Sequence, residues 1–190
     1  MKHILVFSGS QRQDSLNRRL AFFLAQQLEH DFTLDVVDTK DIDFPLFNQD
    51  DERNPEILKK IFPIYQRFLQ ADGFVMVCPE YNGSVTPFLK NTIDWISRLS
   101  RIAPDECINP LQEKPMLLAS ATAGMSGGIL GLQAARNIFN YLGSLVLAEQ
   151  ICMPQAAHAW DDDGFPKDTY LLEIIHHAVG RLSSVLYPSV

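Results

Sequence analysis

Apolar residues in this chain fall by turns into short continuous runs and helical stripes, and the alternation repeats along its length. Residues 4–7 (Ile-Leu-Val-Phe) are an apolar run bounded by polar turn residues, the pattern of a strand buried on both faces. Leu16, Leu20, Phe23, Leu24 and Leu28 then follow at helical spacing. Residues 32–37 read as a second strand, weakened by Asp35, and the acidic, Pro-containing residues 41–54 as a surface loop. Asn54 and Pro55 supply an N-cap and a proline at the first helical position, opening a helix over 56–70. Pro63 inside it removes a hydrogen bond and crowds the preceding turn, so a kink or two shorter helices are expected.

Residues 73–78 (Gly-Phe-Val-Met-Val-Cys) carry the strongest buried-strand signal. Thr86-Pro87 opens a helix with Leu89, Ile93, Ile96 and Ser100 on one face. Residues 116–121 predict a fourth strand, and Gly127-Gly128 precede a helix carrying Ile129, Leu132, Ala135, Phe139 and Leu142. Residues 144–147 predict a fifth strand; after a loop over 154–167, Leu171, Leu172, Ile175, Val179, Leu182 and Leu186 mark the last helix. Strands alternating with helices imply an α/β three-layer sandwich, a parallel sheet with helices on both faces. With five strands the expected order is the flavodoxin-like 2-1-3-4-5, in a single domain over residues 1–190. A ligand then belongs outside the carboxyl ends of strands one and three, where the strand order reverses.

Composition narrows the partners. Of 190 residues, 46% are hydrophobic and 21% charged, and the formal charge of −7 disfavours nucleic acid and anionic membranes. Cys78, Cys107 and Cys152 are widely spaced and have neither a CxxC nor a zinc-type arrangement, so no disulfide framework or metal is expected. The apolar stretch at residues 1–7 is too short for a signal peptide and no segment reaches the length of a membrane span; a cytoplasmic protein is expected.

Three loops could carry chemistry. The first, residues 9–17, lacks the lysine of a P-loop and the glycines of a GxGxxG turn. It places Ser10, Arg12, Ser15 and Asn17 at a helix N-terminus, where unpaired amides and a positive dipole end suit a phosphate. Equally, Ser15 or Asp14 could serve only as an N-cap and Arg12 as a solvated charge. The second loop, residues 79–84, joins an aromatic, an amide and a glycine, which suits a flat heteroaromatic ring or simply a Pro/Asn/Gly turn. The third, residues 122–128, is rich in small residues whose amides could meet a ring edge.

The segments GSQRQDSLNRRL (residues 9–20) and PEYNGSVTPFLKNTIDWISR (79–98), with the loop ending in Gly127-Gly128, resemble the motifs of the NAD(P)H-dependent FMN reductase family. That family is flavodoxin-like and includes quinone, chromate and azo-dye reductases. The resemblance implies an FMN phosphate among Ser10, Arg12, Ser15, Leu16 and Asn17. It implies an isoalloxazine ring against Pro79, Glu80, Tyr81, Asn82 and Gly83, with Ala121, Thr122 and Gly124 closing the far edge. It also implies NADPH or NADH as electron donor, a small-molecule acceptor and a homodimer or homotetramer. Thr86-Pro87, Thr92 and Pro63 depart from the family pattern, and Thr86 and Phe88 are expected to alter the cavity above the ring. No side-chain acid, base or nucleophile is expected, because the cofactor carries the chemistry. Cys78 reads as a core residue, Trp160 as an exposed aromatic in an acidic loop that could join an acceptor cavity or a subunit contact, and His176 and His177 as one packed and one solvated. The competing readings are a flavodoxin-like electron carrier and a flavin-binding sensor without turnover.

Overall fold

The computed structural model describes residues 1–102 and 108–188, with the backbone alone at residue 41; Cys107 lies outside the described residues. A five-stranded parallel sheet runs through the molecule. In chain order the elements are β1 (His3–Ser8), α1 (Leu16–Leu28), β2 (Thr33–Val36), α2 (Pro55–Gln70), β3 (Gly73–Val77), β4 (Glu80–Tyr81), β5 (Ser84–Val85), α3 (Pro87–Ile102), β6 (Pro115–Ala121), α4 (Ile129–Tyr141), β7 (Leu145–Met153) and α5 (Thr169–Leu186). The sheet order is β2-β1-β3-β6-β7, which is the expected 2-1-3-4-5 once the short β4–β5 hairpin is set aside.

Successive side chains of a strand point to opposite faces, and β1 feeds two cores in this way. Ile4 and Val6 pack with α1 and α5, while Leu5 and Phe7 pack with α2, α3 and α4. The central strands β3 and β6 are buried at every position, so their sequences read as continuous apolar runs.

Three local expectations need correction. Helix α2 runs unbroken from Pro55 to Gln70 through Pro63, so two shorter helices do not form. Pro63 sits on the exposed face, where water can satisfy the carbonyl one turn earlier that loses its donor. Strand β7 extends to Met153, far beyond the expected residues 144–147; it is an edge strand, so Glu149 and Gln150 interrupt its apolar run without ending it. Its pairing with β6 is irregular between Met116 and Leu118.

Residues 41–54 also hold more structure than an open loop. Asn91 of α3 accepts the Phe47 amide at 2.7 Å and donates to the Pro45 carbonyl at 2.9 Å; Trp95 Nε1 donates to the same carbonyl at 2.8 Å. Among the described residues no helix is long and apolar enough to cross a membrane.

Candidate functional site

The chain leaves β1 at Ser8 and turns outward at Gly9. A Cβ on Gly9 would stand 2.9 Å from Pro79 Cδ and 3.0 Å from Leu89 Cβ, so the missing side chain lets the first and second loops touch. Thr86 locks the same junction: its hydroxyl donates to the Gly9 carbonyl at 2.7 Å and accepts the Leu89 amide at 3.2 Å, capping α3. Thr86 is buried and Phe88 stacks on Phe7 at 6.1 Å; neither lines the cavity they were expected to shape.

Outside the carboxyl ends of β1, β3 and β6 lies a cavity of about 210 Å³. Its walls are Ser10, Arg12, Ser15, Leu16, Asn17, Pro79, Glu80, Tyr81, Ala121, Thr122 and Ala123. All three nominated loops therefore meet where β1 and β3 diverge. Asn82, Gly83 and Gly124, nominated with them, do not line it.

One end of this cavity is rich in donors. Ser15 caps α1 by accepting the Arg18 amide at 3.3 Å, and Ser10 Oγ accepts the Arg12 amide at 3.3 Å. The amides of Leu16 and Asn17, in the first turn, have no acceptor among the described residues. Arg12 is exposed and makes no ion pair among them. A guanidinium and free helix amides around one void have the chemistry to hold a phosphate group.

Asn17 does something the sequence did not announce. Its Nδ2 donates to the Ala121 carbonyl at 2.7 Å while its Oδ1 accepts the Ala121 amide at 2.9 Å. The buried side chain thus ties the first turn of α1 to the last residue of β6. Gln11 and Thr39 were missed altogether. Gln11 Nε2 donates to the carbonyls of Thr39 and Ile42 at 2.9 and 2.7 Å, and the Thr39 hydroxyl donates to Ser10 O at 2.8 Å. These bonds pin the segment after β2 against the first loop, and no periodicity or motif could have signalled them.

At the other end, Asn82 and Gly83 have φ values of 52° and 72° and form the two-residue turn of the β4–β5 hairpin. The turn lies outside the residues that line the cavity, and a Cβ added at Gly83 would stand 3.7 Å from Leu130 Cδ1, while Tyr81 lines the cavity with 56% of its surface exposed. Glu80 is engaged from behind: its carboxylate accepts the Gly131 amide at 2.8 Å, in the first turn of α4. That bond is why residue 131 is a glycine, since a Cβ there would stand 2.9 Å from Glu80 Cβ. In the third loop, Thr122 O and Gly124 O accept the amides of Ala156 and Gln155, and the amides of Ala123 and Gly124 stay uncommitted among the described residues.

The neighbouring reactive groups play other parts. Cys78 is fully buried, and burial pushes its thiol far above the usual range, so it is a core residue. Trp160 is buried, not exposed as expected; it meets the Phe23 ring edge-on at 5.5 Å and lies beneath the Arg19 guanidinium at 4.4 Å. His176 and His177 are both exposed, whereas one was expected to be packed.

Similarity to known proteins agrees with this arrangement. Residues 2–158 match the model of the family described as NADPH-dependent FMN reductase. A quinone reductase of Escherichia coli K12 is 32% identical over 144 residues, covering 76% of this chain and 72% of that protein. A 2-hydroxy-1,4-benzoquinone reductase of a Burkholderia species is 43% identical over 96 residues, half of each chain. In fold, the flavoenzyme NAD(P)H:(acceptor) oxidoreductase FerB of Paracoccus denitrificans superposes with a TM-score of 0.80 at 24% identity, with 98% of both chains covered. The chain belongs to the NADPH-dependent FMN reductase family and so to the NAD(P)H-dependent oxidoreductases.

Proposed function

We propose that this chain is a single-domain cytoplasmic oxidoreductase, a homodimer or homotetramer, that binds FMN in the cavity between its three loops and passes electrons from NAD(P)H to a quinone. The observation that carries this reading is the convergence of an unpaired Arg12, uncommitted α1 amides and the Pro79–Tyr81 wall in one void. The donor set fits FMN: a cation and free amides suit its phosphate, and an exposed tyrosine, a proline and a small-residue loop suit a flat ring. At about 210 Å³ the void is smaller than the roughly 300–1,000 Å³ usual for a small-molecule pocket, so a ligand seated there keeps an open face. An open face is what a donor and an acceptor need if they are to use the same place in turn.

FMN bound there would supply two-electron hydride chemistry between nicotinamide and an acceptor. The protein's residues bind and orient. Arg12 offsets the phosphate charge, Ser10 and Ser15 can donate to it, and the Leu16 amide adds the helix terminus. Asn17 holds the floor, joining the phosphate loop to the third loop through Ala121. Glu80 keeps the second loop against α4 through Gly131, so its carboxylate braces the site rather than acting as a proton carrier. A quinone is the favoured acceptor because two curated relatives are named for quinone reduction.

Steady-state assay of the FMN-loaded protein with NADPH and benzoquinone tests the proposal. Quinone-dependent consumption of NADPH is expected. Bound FMN with no NADPH consumption would favour the electron carrier or the sensor.

A further inference from the structure

Ser10 and Arg12 line the cavity between the three loops, and Gln11 between them does not. Its side-chain amide is committed elsewhere: Nε2 donates to the Thr39 carbonyl at 2.9 Å and the Ile42 carbonyl at 2.7 Å, at either end of the turn over Thr39–Asp41. Thr39 reaches back, its hydroxyl donating to Ser10 O at 2.8 Å. At 1% exposure Thr39 has no water to replace that bond. A third strut grips the helix that follows the loop. Arg18, in the first turn of α1, donates to Asp38 Oδ1 at 3.2 Å, and the same oxygen accepts the Lys40 amide at 3.1 Å. The turn is itself tied to the sheet, because the Val37 amide, directly after β2, donates to Val6 O at 3.0 Å.

Residues 10–14 belong to no helix or strand, so no backbone ladder holds them in shape. The turn after β2 does that work from outside. With Gln11 drawn towards residues 39–42, its neighbours Ser10 and Arg12 are left on the cavity side. Ser10 Oγ accepts the Arg12 amide at 3.3 Å, so the grip of Thr39 on Ser10 is passed on to Arg12. A loop shaped before its ligand arrives loses less conformational freedom on binding. The effect is confined to one end of the site. The ring end rests on the Pro79–Tyr81 wall, whose junction with Gly9 is locked by Thr86 instead.

We propose that Gln11 and Thr39 are positioning residues for the flavin phosphate: acting through Ser10 and Arg12, they give the site its preference for a phosphorylated flavin over an unphosphorylated one. The proposal rests on the reading above that FMN binds in this cavity. Neither residue lines the cavity, so each acts only through the loop it holds. Riboflavin is the same ring and ribityl chain without the phosphate. It reports on the ring end alone, and the two flavins together separate a loosened phosphate loop from a loosened fold.

Fluorescence titration of the flavin-free protein with FMN and with riboflavin is the test. The unaltered protein is expected to bind FMN at least about tenfold more tightly, the effect of one hydrogen bond to a charged group. In Thr39→Val and in Gln11→Leu, FMN affinity is expected to fall about three- to tenfold, as for one lost hydrogen bond, with riboflavin affinity held within about twofold. Thr39→Ser, which keeps the hydroxyl, should retain the parent's ratio of the two affinities. Gln11 is exposed, so its variant carries the test even where Thr39→Val fails to fold. An unchanged ratio in Thr39→Val and Gln11→Leu would overturn the proposal. So would an equal loss of both flavins, which would mark the pair as acting on the fold, or a loss in Thr39→Ser as large as in Thr39→Val. A parent that selects FMN while its variants select it equally well keeps the functional reading and loses these two roles. A parent that binds neither flavin loses both.

Discussion

Asn17 and Ala121 are 104 positions apart in the chain and exchange two hydrogen bonds, at 2.7 and 2.9 Å. The pair imitates one rung of backbone pairing between a side-chain amide and a peptide unit. It clamps the N-terminus of α1 to the end of β6, and with them the first loop to the third. Asn17→Ala leaves a buried amide and a buried carbonyl without partners and is expected to cost about 2–4 kcal/mol of stability. Urea unfolding of the FMN-free protein measures this directly, and a loss below about 0.5 kcal/mol would show that the clamp contributes little.

Arg12 is the opposite case, exposed and unpaired among the described residues. Arg12→Ala is expected to leave the unfolding free energy within about 0.5 kcal/mol of the parent. It should weaken FMN binding by about 1.5–3 kcal/mol, the worth of a hydrogen bond to a charged group. Fluorescence titration of FMN reads the affinity, and raised salt should shrink the difference between parent and variant. Unchanged affinity would remove Arg12 from the phosphate site.

The order of strands was legible because β1, β3 and β6 are buried on both faces and their sequences carry unbroken apolar runs. The edge strand β7 was only half legible, since its alternating exposure admits Glu149 and Gln150. The Asn82-Gly83 turn carried a hairpin signal, but two-residue strands leave no periodicity on either side of it. The three loops of the site could be nominated from topology and motif. The bracing by Asn17, Glu80 and Thr86 could not, because each acts on a backbone group far away in the chain.

Lys114 gives the fold a dependence on alkaline pH. Its ammonium donates to the Phe68 and Leu69 carbonyls at the end of α2, at 3.0 and 2.8 Å. Burial nonetheless lowers its pKa to about 8 from the usual 10.5, against the pull of Asp72. Between pH 8 and 10.5 the unfolded chain then binds more protons at this position than the folded one, so this lysine makes stability rise with pH across that window. Lys114→Met should lack that contribution. Thermal unfolding of parent and variant at several pH values from 7 to 10.5 isolates it; parallel profiles would show that Lys114 titrates at its ordinary pKa.

The central claim is that the cavity between the three loops holds an FMN that NAD(P)H reduces. The most direct measurement is the visible spectrum of FMN-loaded protein under anaerobic conditions, before and after adding NADPH. Rapid loss of the flavin band near the start of mixing is the result this account expects. A bound flavin that stays yellow with both NADPH and NADH would contradict it and leave a flavin-binding protein without the reductase reaction.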